Sequence, residues 1–120
     1  PIENHPTREI PINKAVKQAL DHYLTIRPKA SEKSLFVTKT GHPLLIRNIR
    51  TVIDRYFKIA GIKDAKVNDL RHTWVAHHLM NGTSLVMVSK MAGHKRLSTT
   101  ERYLSIVKDK TEEKVRLEEL

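Results

Sequence analysis

Asn68-Asp69-Leu70-Arg71-His72-Thr73, with the stretch that follows it to Tyr103, decides the fold of this chain. Asn68 or Asp69 is a good helix N-cap, and the segment continues through Trp74 and Leu79 to Asn81-Gly82, a pair suited to the left-handed turn that ends helices. Thr83 or Ser84 then caps a shorter helix, with Leu85, Val88 and Met91 facing inward and Gly93 ending it. In Ser98-Thr99-Thr100-Glu101 a glutamate follows a serine by three residues, the pattern of a capping box, so a third helix is expected from there through Tyr103. Four polar side chains, Asn68, Arg71, His94 and Tyr103, therefore fall at or near helix termini. Taken singly, each has an ordinary explanation: a solvated arginine, a capping histidine, a packed tyrosine.

Upstream, Ile46, Ile49, Val52, Ile53, Tyr56 and Ala60 mark one face of a helix closed by Gly61. Its other face carries Arg47, Arg50 and Lys58, with Asn48, Thr51 and Asp54 nearby. That layout suits a helix laid against a phosphate backbone, and equally an ordinary solvated face. Before it, Thr40-Gly41-His42-Pro43 reads as a turn. Asn13 caps a helix in which Val16, Ala19, Leu20, Tyr23 and Leu24 recur until Arg27, where Pro28 disfavours continuation. Two strand candidates remain, Arg8 to Ile12 and Leu35 to Thr38, and Pro11 confines the first to an edge or terminal position. A last amphipathic segment, 108–120, carries Val115, Leu117 and Leu120. The expected class is mainly α with a small residual antiparallel β element.

Charge narrows the function. The 120 residues carry 22 Lys+Arg against 13 Asp+Glu, a formal net charge of +9. Residues 108–120 are net −1, so the preceding 107 hold +10. Such an excess repels itself in a compact chain unless a polyanion neutralises it, and nucleic acid is the commonest one. The longest apolar run is Leu85 to Val88, far short of the roughly 20 residues a spanning helix needs, and no signal-like region opens the chain. Without cysteine there is neither a disulfide framework nor a thiolate metal site. A soluble, cytoplasmic protein without membrane partners is expected. His72, His77 and His78 share a helix, but at spacings of five and six rather than the four typical of helical zinc ligands, so no metal is expected.

Three separated motifs, Asn68-Asp69-Leu70-Arg71-His72-Thr73, Met91-Ala92-Gly93-His94 and Ser98 to Tyr103, resemble the C-terminal signature of the tyrosine recombinases, or phage-integrase family. Tyr103 follows His94 by nine residues, as the family's nucleophile follows its histidine. Arg8-Glu9-Ile10-Pro11-Ile12 looks like the last strand of that family's sheet, and Leu35 to Leu44 like its central turn.

The resemblance implies the fold of a DNA breaking-rejoining enzyme's catalytic domain and a site made of Arg71, His94 and Tyr103. Arg71 and His94 would hold a phosphodiester, and Tyr103 would attack it to leave a 3′-phosphotyrosyl link, with no cofactor. Where the family most often has histidine, Asn68 can donate a hydrogen bond but cannot titrate. The family's first catalytic arginine has no counterpart here, and Glu3 and Asn4 stand where its hairpin lysine is expected. The chain accordingly reads as a C-terminal portion, truncated at its N-terminus and not self-sufficient. Its segment 108–120 would dock between subunits. Arg47, Arg50, Lys58, Lys95 and Arg96 are the expected DNA contacts, and the partners are double-stranded DNA and further copies, a tetrameric synapse for the intact parent of bacterial or phage origin. A catalytically incompetent DNA-binding module and a regulatory fragment of the same fold remain the alternatives.

Overall fold

The computed structural model describes residues 7–108, of which more than half are helical. The described residues divide into two compact units, one of residues 11–67 and one joining residues 7–10 to residues 68–108. The segment read as a C-terminal docking helix lies, but for Lys108, outside the described residues, as do Glu3 and Asn4.

In the unit of residues 11–67, α1 spans Lys14–Ile26, and the Asn13 side chain caps it by accepting from the backbone N–H of Val16 at 2.8 Å. Its C-terminal end pins the following loop. The Tyr23 hydroxyl donates to the Leu35 carbonyl and accepts from the Val37 N–H, while Arg27 donates to the carbonyls of Leu35 and Ser34. The turn read at Thr40 to Pro43 is present, closed by the Thr38 N–H on the His42 carbonyl at 2.7 Å. Gly41 there has φ +82°, which favours glycine, and a Cβ on it would crowd the Lys29 carbonyl at 3.1 Å.

The β element shrinks to one antiparallel bridge, Val37 to Pro43. Arg8 to Ile12 forms no strand, because no described neighbour supplies ladder hydrogen bonds to it. α2 spans Ile46–Ile59 and ends, as read, before Gly61 in the left-handed region. Its apolar stripe is not core: Ile46, Ile49, Val52, Tyr56 and Ile59 are all exposed.

The second unit holds α3 (Val67–Met80), α4 (Leu85–Ala92), α5 (Leu97–Glu101) and a helical stretch at 103–108. Its core is Val75, Val88, Ala92 and Tyr103, with Trp74, Ala76 and Leu79 packed against it. α3 starts at Val67, so Asn68 and Asp69 lie inside its first turn rather than capping it, and Arg71 lies one turn further in. Asp69 there favours the positive end of the helix dipole. α4 follows the reading: the Ser84 hydroxyl accepts from the Met87 N–H, and Gly93 at φ +73° lets the His94 N–H reach back to the Ser89 carbonyl. The capping box does not form. α5 begins earlier, with Arg96 at its N-cap, which leaves Ser98 inside the helix, and Arg102 separates it from the stretch that carries Tyr103.

Candidate active site

Two arginines terminate α4. Arg71 donates through Nη2 to the Ala92 carbonyl, and Arg8 donates through Nε to the Met91 carbonyl at 2.9 Å. These are the last carbonyls of the helix, where a fixed cation is favoured by the dipole as well as by hydrogen bonding. A guanidinium has five N–H donors in a rigid plane, so one bond to a carbonyl fixes its orientation without exhausting its capacity. Both arginines line a cleft of about 580 Å³, together with Asn68, Ala92, Gly93, His94, Lys95 and Thr99.

His94 is held from behind. Its Nδ1 pairs at 2.5 Å with the hydroxyl of Thr100, a side chain with no exposed surface. If the hydroxyl donates, the neutral ring carries its proton on Nε2, the tautomer that can donate into the cleft. Burial, and then the positive charge of Arg71, hold the His94 pKa below its ordinary value of 6.5. The lowered pKa favours the uncharged ring at neutral pH, a form that can still donate one hydrogen bond.

Tyr103 is next to these residues but does not face their cleft. Only 8% of its surface is exposed, and its ring stacks on that of His94, centroids 6.4 Å apart and planes 12° apart. Its hydroxyl pairs with Nδ1 of His72. The space it borders is a second one, of about 400 Å³, shared with His72, Thr73, Ala76, His77, Met80 and Ile106. Asn68, Arg71, His94 and Lys95 are thus brought together, whereas the phenol oxygen is turned toward His72.

With that geometry in place, comparison with known proteins is decisive: the model of the phage integrase family matches residues 3–110. The chain belongs to the phage integrase family. It is 32% identical over 109 residues to tyrosine recombinase XerC of Thermodesulfovibrio yellowstonii, covering 82% of this chain and 36% of that protein. It is 31% identical over 114 residues to tyrosine recombinase XerD of Chlamydia muridarum, covering 90% of this chain and 38% of that one. The chain spans about a third of the length of the curated relatives it matches. Among solved structures, the crystal structure of XerA recombinase superposes with a TM-score of 0.78 at 25% identity, over 86% of this chain and 39% of that chain. A post-cleavage complex of XerH recombinase with its DNA substrate shares the fold, with a TM-score of 0.71 at 22% identity, over 88% of this chain and 31% of that one. The mainly helical fold of the family's catalytic domain is thereby established for this chain.

The remaining residues read for the family's DNA contacts are not all in the cleft. Arg96 is exposed at the N-cap of α5. Arg47, Arg50 and Lys58 form one exposed stripe on α2, in the other unit, and Asp54 stands between Arg50 and Lys58 on the same stripe. Of the other histidines, His77 pairs with Asn81 through Nε2, and His78 meets Trp74 edge-on. Among the described residues no group of three His, Asp or Glu side chains could hold a metal ion, and no helix is long and apolar enough to cross a membrane.

Sequence reasoning missed two residues that shape this cleft, Arg8 on the Met91 carbonyl and Thr100 behind His94. Arg8 reads only as a strand residue, and Thr100 only as part of a capping box. No local pattern announces either, because each acts on a helix end or a ring brought to it by folding.

Proposed function

We propose that this chain is the C-terminal portion of the catalytic domain of a site-specific DNA recombinase that cuts and rejoins double-stranded DNA through Tyr103. The observation that carries the reading is the convergence of Arg71 and His94 on one cleft, with Tyr103 stacked on the far side of the His94 ring.

A phosphodiester under attack gathers charge on its non-bridging oxygens, and donors fixed where that charge develops lower the barrier. The Arg71 guanidinium, oriented by the Ala92 carbonyl, supplies a permanent cation there, and its planar fork matches phosphate geometry. Neutral His94 donates from Nε2, and Asn68 and Lys95 add donors at the rim. The Tyr103 oxygen attacks phosphorus and the bond to the 5′-oxygen breaks. A 3′-phosphotyrosyl ester and a 5′-hydroxyl result. The ester bond is exchanged, not hydrolysed, so rejoining needs no cofactor. The attack requires the phenol to leave His72 and turn toward the cleft that Arg71 and His94 line. The family's site also uses a further arginine and a hairpin lysine, for which residues 1–120 offer no matching residue, and on this reading the assembly on DNA contains several copies.

The test is covalent capture. The full-length protein is incubated with a pool of nicked duplexes first enriched for binding to it, and denatured complexes are separated by electrophoresis. Wild type should leave a protein–DNA adduct and Tyr103→Phe none; an adduct formed equally by Tyr103→Phe overturns the assignment. The orientation of the Tyr103 hydroxyl toward His72 favours one second reading, a DNA-binding module of this fold without chemistry. For that module neither protein would give an adduct, while salt-sensitive DNA binding would persist.

A further inference from the structure

Arg8 is a cation that the reading of the site above does not use, and its placement is unusually constrained. The Nε bond to Met91 holds one edge of the guanidinium. The side chain runs close beside Gly93. A Cβ on that glycine would stand 2.8 Å from Nη1 and 3.1 Å from both Cζ and Cδ of Arg8, so Arg8 would have to shift. Gly93 is required by its left-handed φ of +73°, and its lack of a Cβ leaves room for Arg8 in the position it takes. The residue after Gly93 is His94.

Charge makes the placement telling. Arg8, Arg71 and Lys95 share the lining of one cleft, and no Asp or Glu is among its described lining residues. Gathering three cations without a carboxylate is unfavourable in the empty molecule and becomes favourable when an anion binds. The Met91 and Ala92 carbonyls orient two guanidiniums on adjacent points of one helix end, which is a preformed fork for phosphate oxygens.

We propose that Arg8 is a second phosphate-contacting guanidinium of this site, holding a backbone phosphate of duplex DNA in the cleft alongside Arg71. The inference rests on the DNA-cleaving reading of the cleft and adds to it a residue contributed by the segment before α1. Arg8→Gln removes the charge but keeps a donor for the Met91 carbonyl. Arg8→Lys keeps the charge but loses the planar group beside Gly93. The two therefore separate a phosphate contact from a purely structural one.

The experiment measures affinity of the full-length protein for a fluorescent duplex of about 20 base pairs by anisotropy, from low to moderate KCl, as the slope of log affinity against log salt. Arg71→Gln serves as the calibrating variant, and circular dichroism verifies that each variant is folded. Each phosphate contact removed should lower the slope by about one. Arg8→Gln is expected to lower it by that amount, and Arg8→Lys to retain the wild-type slope. If Arg71→Gln lowers the slope and Arg8→Gln does not, Arg8 is not a phosphate contact and the wider reading survives. A loss in Arg8→Lys with none in Arg8→Gln makes Arg8 a structural cap, overturning the proposal. If wild-type binding ignores salt, or Arg71→Gln leaves the slope unchanged, the cleft is not a DNA site and both readings fall together.

Discussion

Arg50 on α2 and Arg71 on α3 are both arginines on fourteen-residue helices of one small chain, yet they live in opposite circumstances. α2 is strongly amphipathic, and not one of its residues is buried; α3 is barely amphipathic, and its Val75 is completely buried. Arg50 lies on an exposed basic stripe interrupted by Asp54, whereas Arg71 is tied to the end of another helix. Periodicity thus marks which side of a helix is wet. It does not say which arginine will be held still, and a transition state needs a donor that is held still.

That contrast can be broken most sharply at the arginines themselves. In single-turnover cleavage of a captured duplex, Arg71→Ala should slow the chemical step by about 10²- to 10³-fold, the usual loss for one preorganised donor. Arg50→Ala at saturating protein should leave that step unchanged. Equal losses would mean that the stripe on α2 belongs to the reacting centre.

Packing offers the next largest effect. Val75→Ala removes two buried methyls and should cost about 2 kcal/mol in chemical denaturation, while Val52→Ala, on the exposed stripe, should stay within about 0.5 kcal/mol. Thr100→Val comes third: it leaves the His94 Nδ1 without its hydroxyl partner and should cost about 1 kcal/mol, with Thr100→Ser recovering most of it. Nitrogen NMR of the His94 ring should report a shift from the Nε2–H tautomer in Thr100→Val and its return in Thr100→Ser.

Smallest is the electrostatic difference. The His94 titration midpoint should fall below 6.5, and Arg71→Gln should move it upward without fully restoring it, because burial is the larger cause. With the folded pKa below the unfolded value, the unfolded chain binds more protons in the window between the two. The His94 contribution to stability is thus complete above about pH 6.5 and is lost as pH falls through the folded pKa. A midpoint above 6.5 would contradict the neutral-donor role.

The helices were largely legible because their signals are local. Asn13 and Ser84 bond N–H groups three residues away, and the turns at Gly61, Gly82 and Gly93 depend on their own φ. Ser98 shows where local reading stops. It has the right partner three residues on, but α5 begins ahead of it, and Thr100, completely buried, bonds His94 rather than helping to cap. Asn68 lies within the first turn of α3 for a similar reason: the helix extends back through Val67. The strand read at Arg8 to Ile12 failed because a strand is stabilised by its neighbours, and alternation in one segment cannot supply them.

The amino-acid order by itself determined the mainly helical class, the basic body and the presence of Arg71, His94 and Tyr103 at the family's spacing, since each depends on composition or on residues close in the chain. Only the tertiary structure decided that Arg8 and Arg71 close the same end of α4, that Thr100 backs His94, and that the Tyr103 hydroxyl faces His72. Arg8 reaches a carbonyl 83 residues away, and Tyr103 an imidazole 31 residues away. Contacts across such separations are set by which helix ends and core surfaces can be satisfied together, a condition met by the whole fold and written in no single segment.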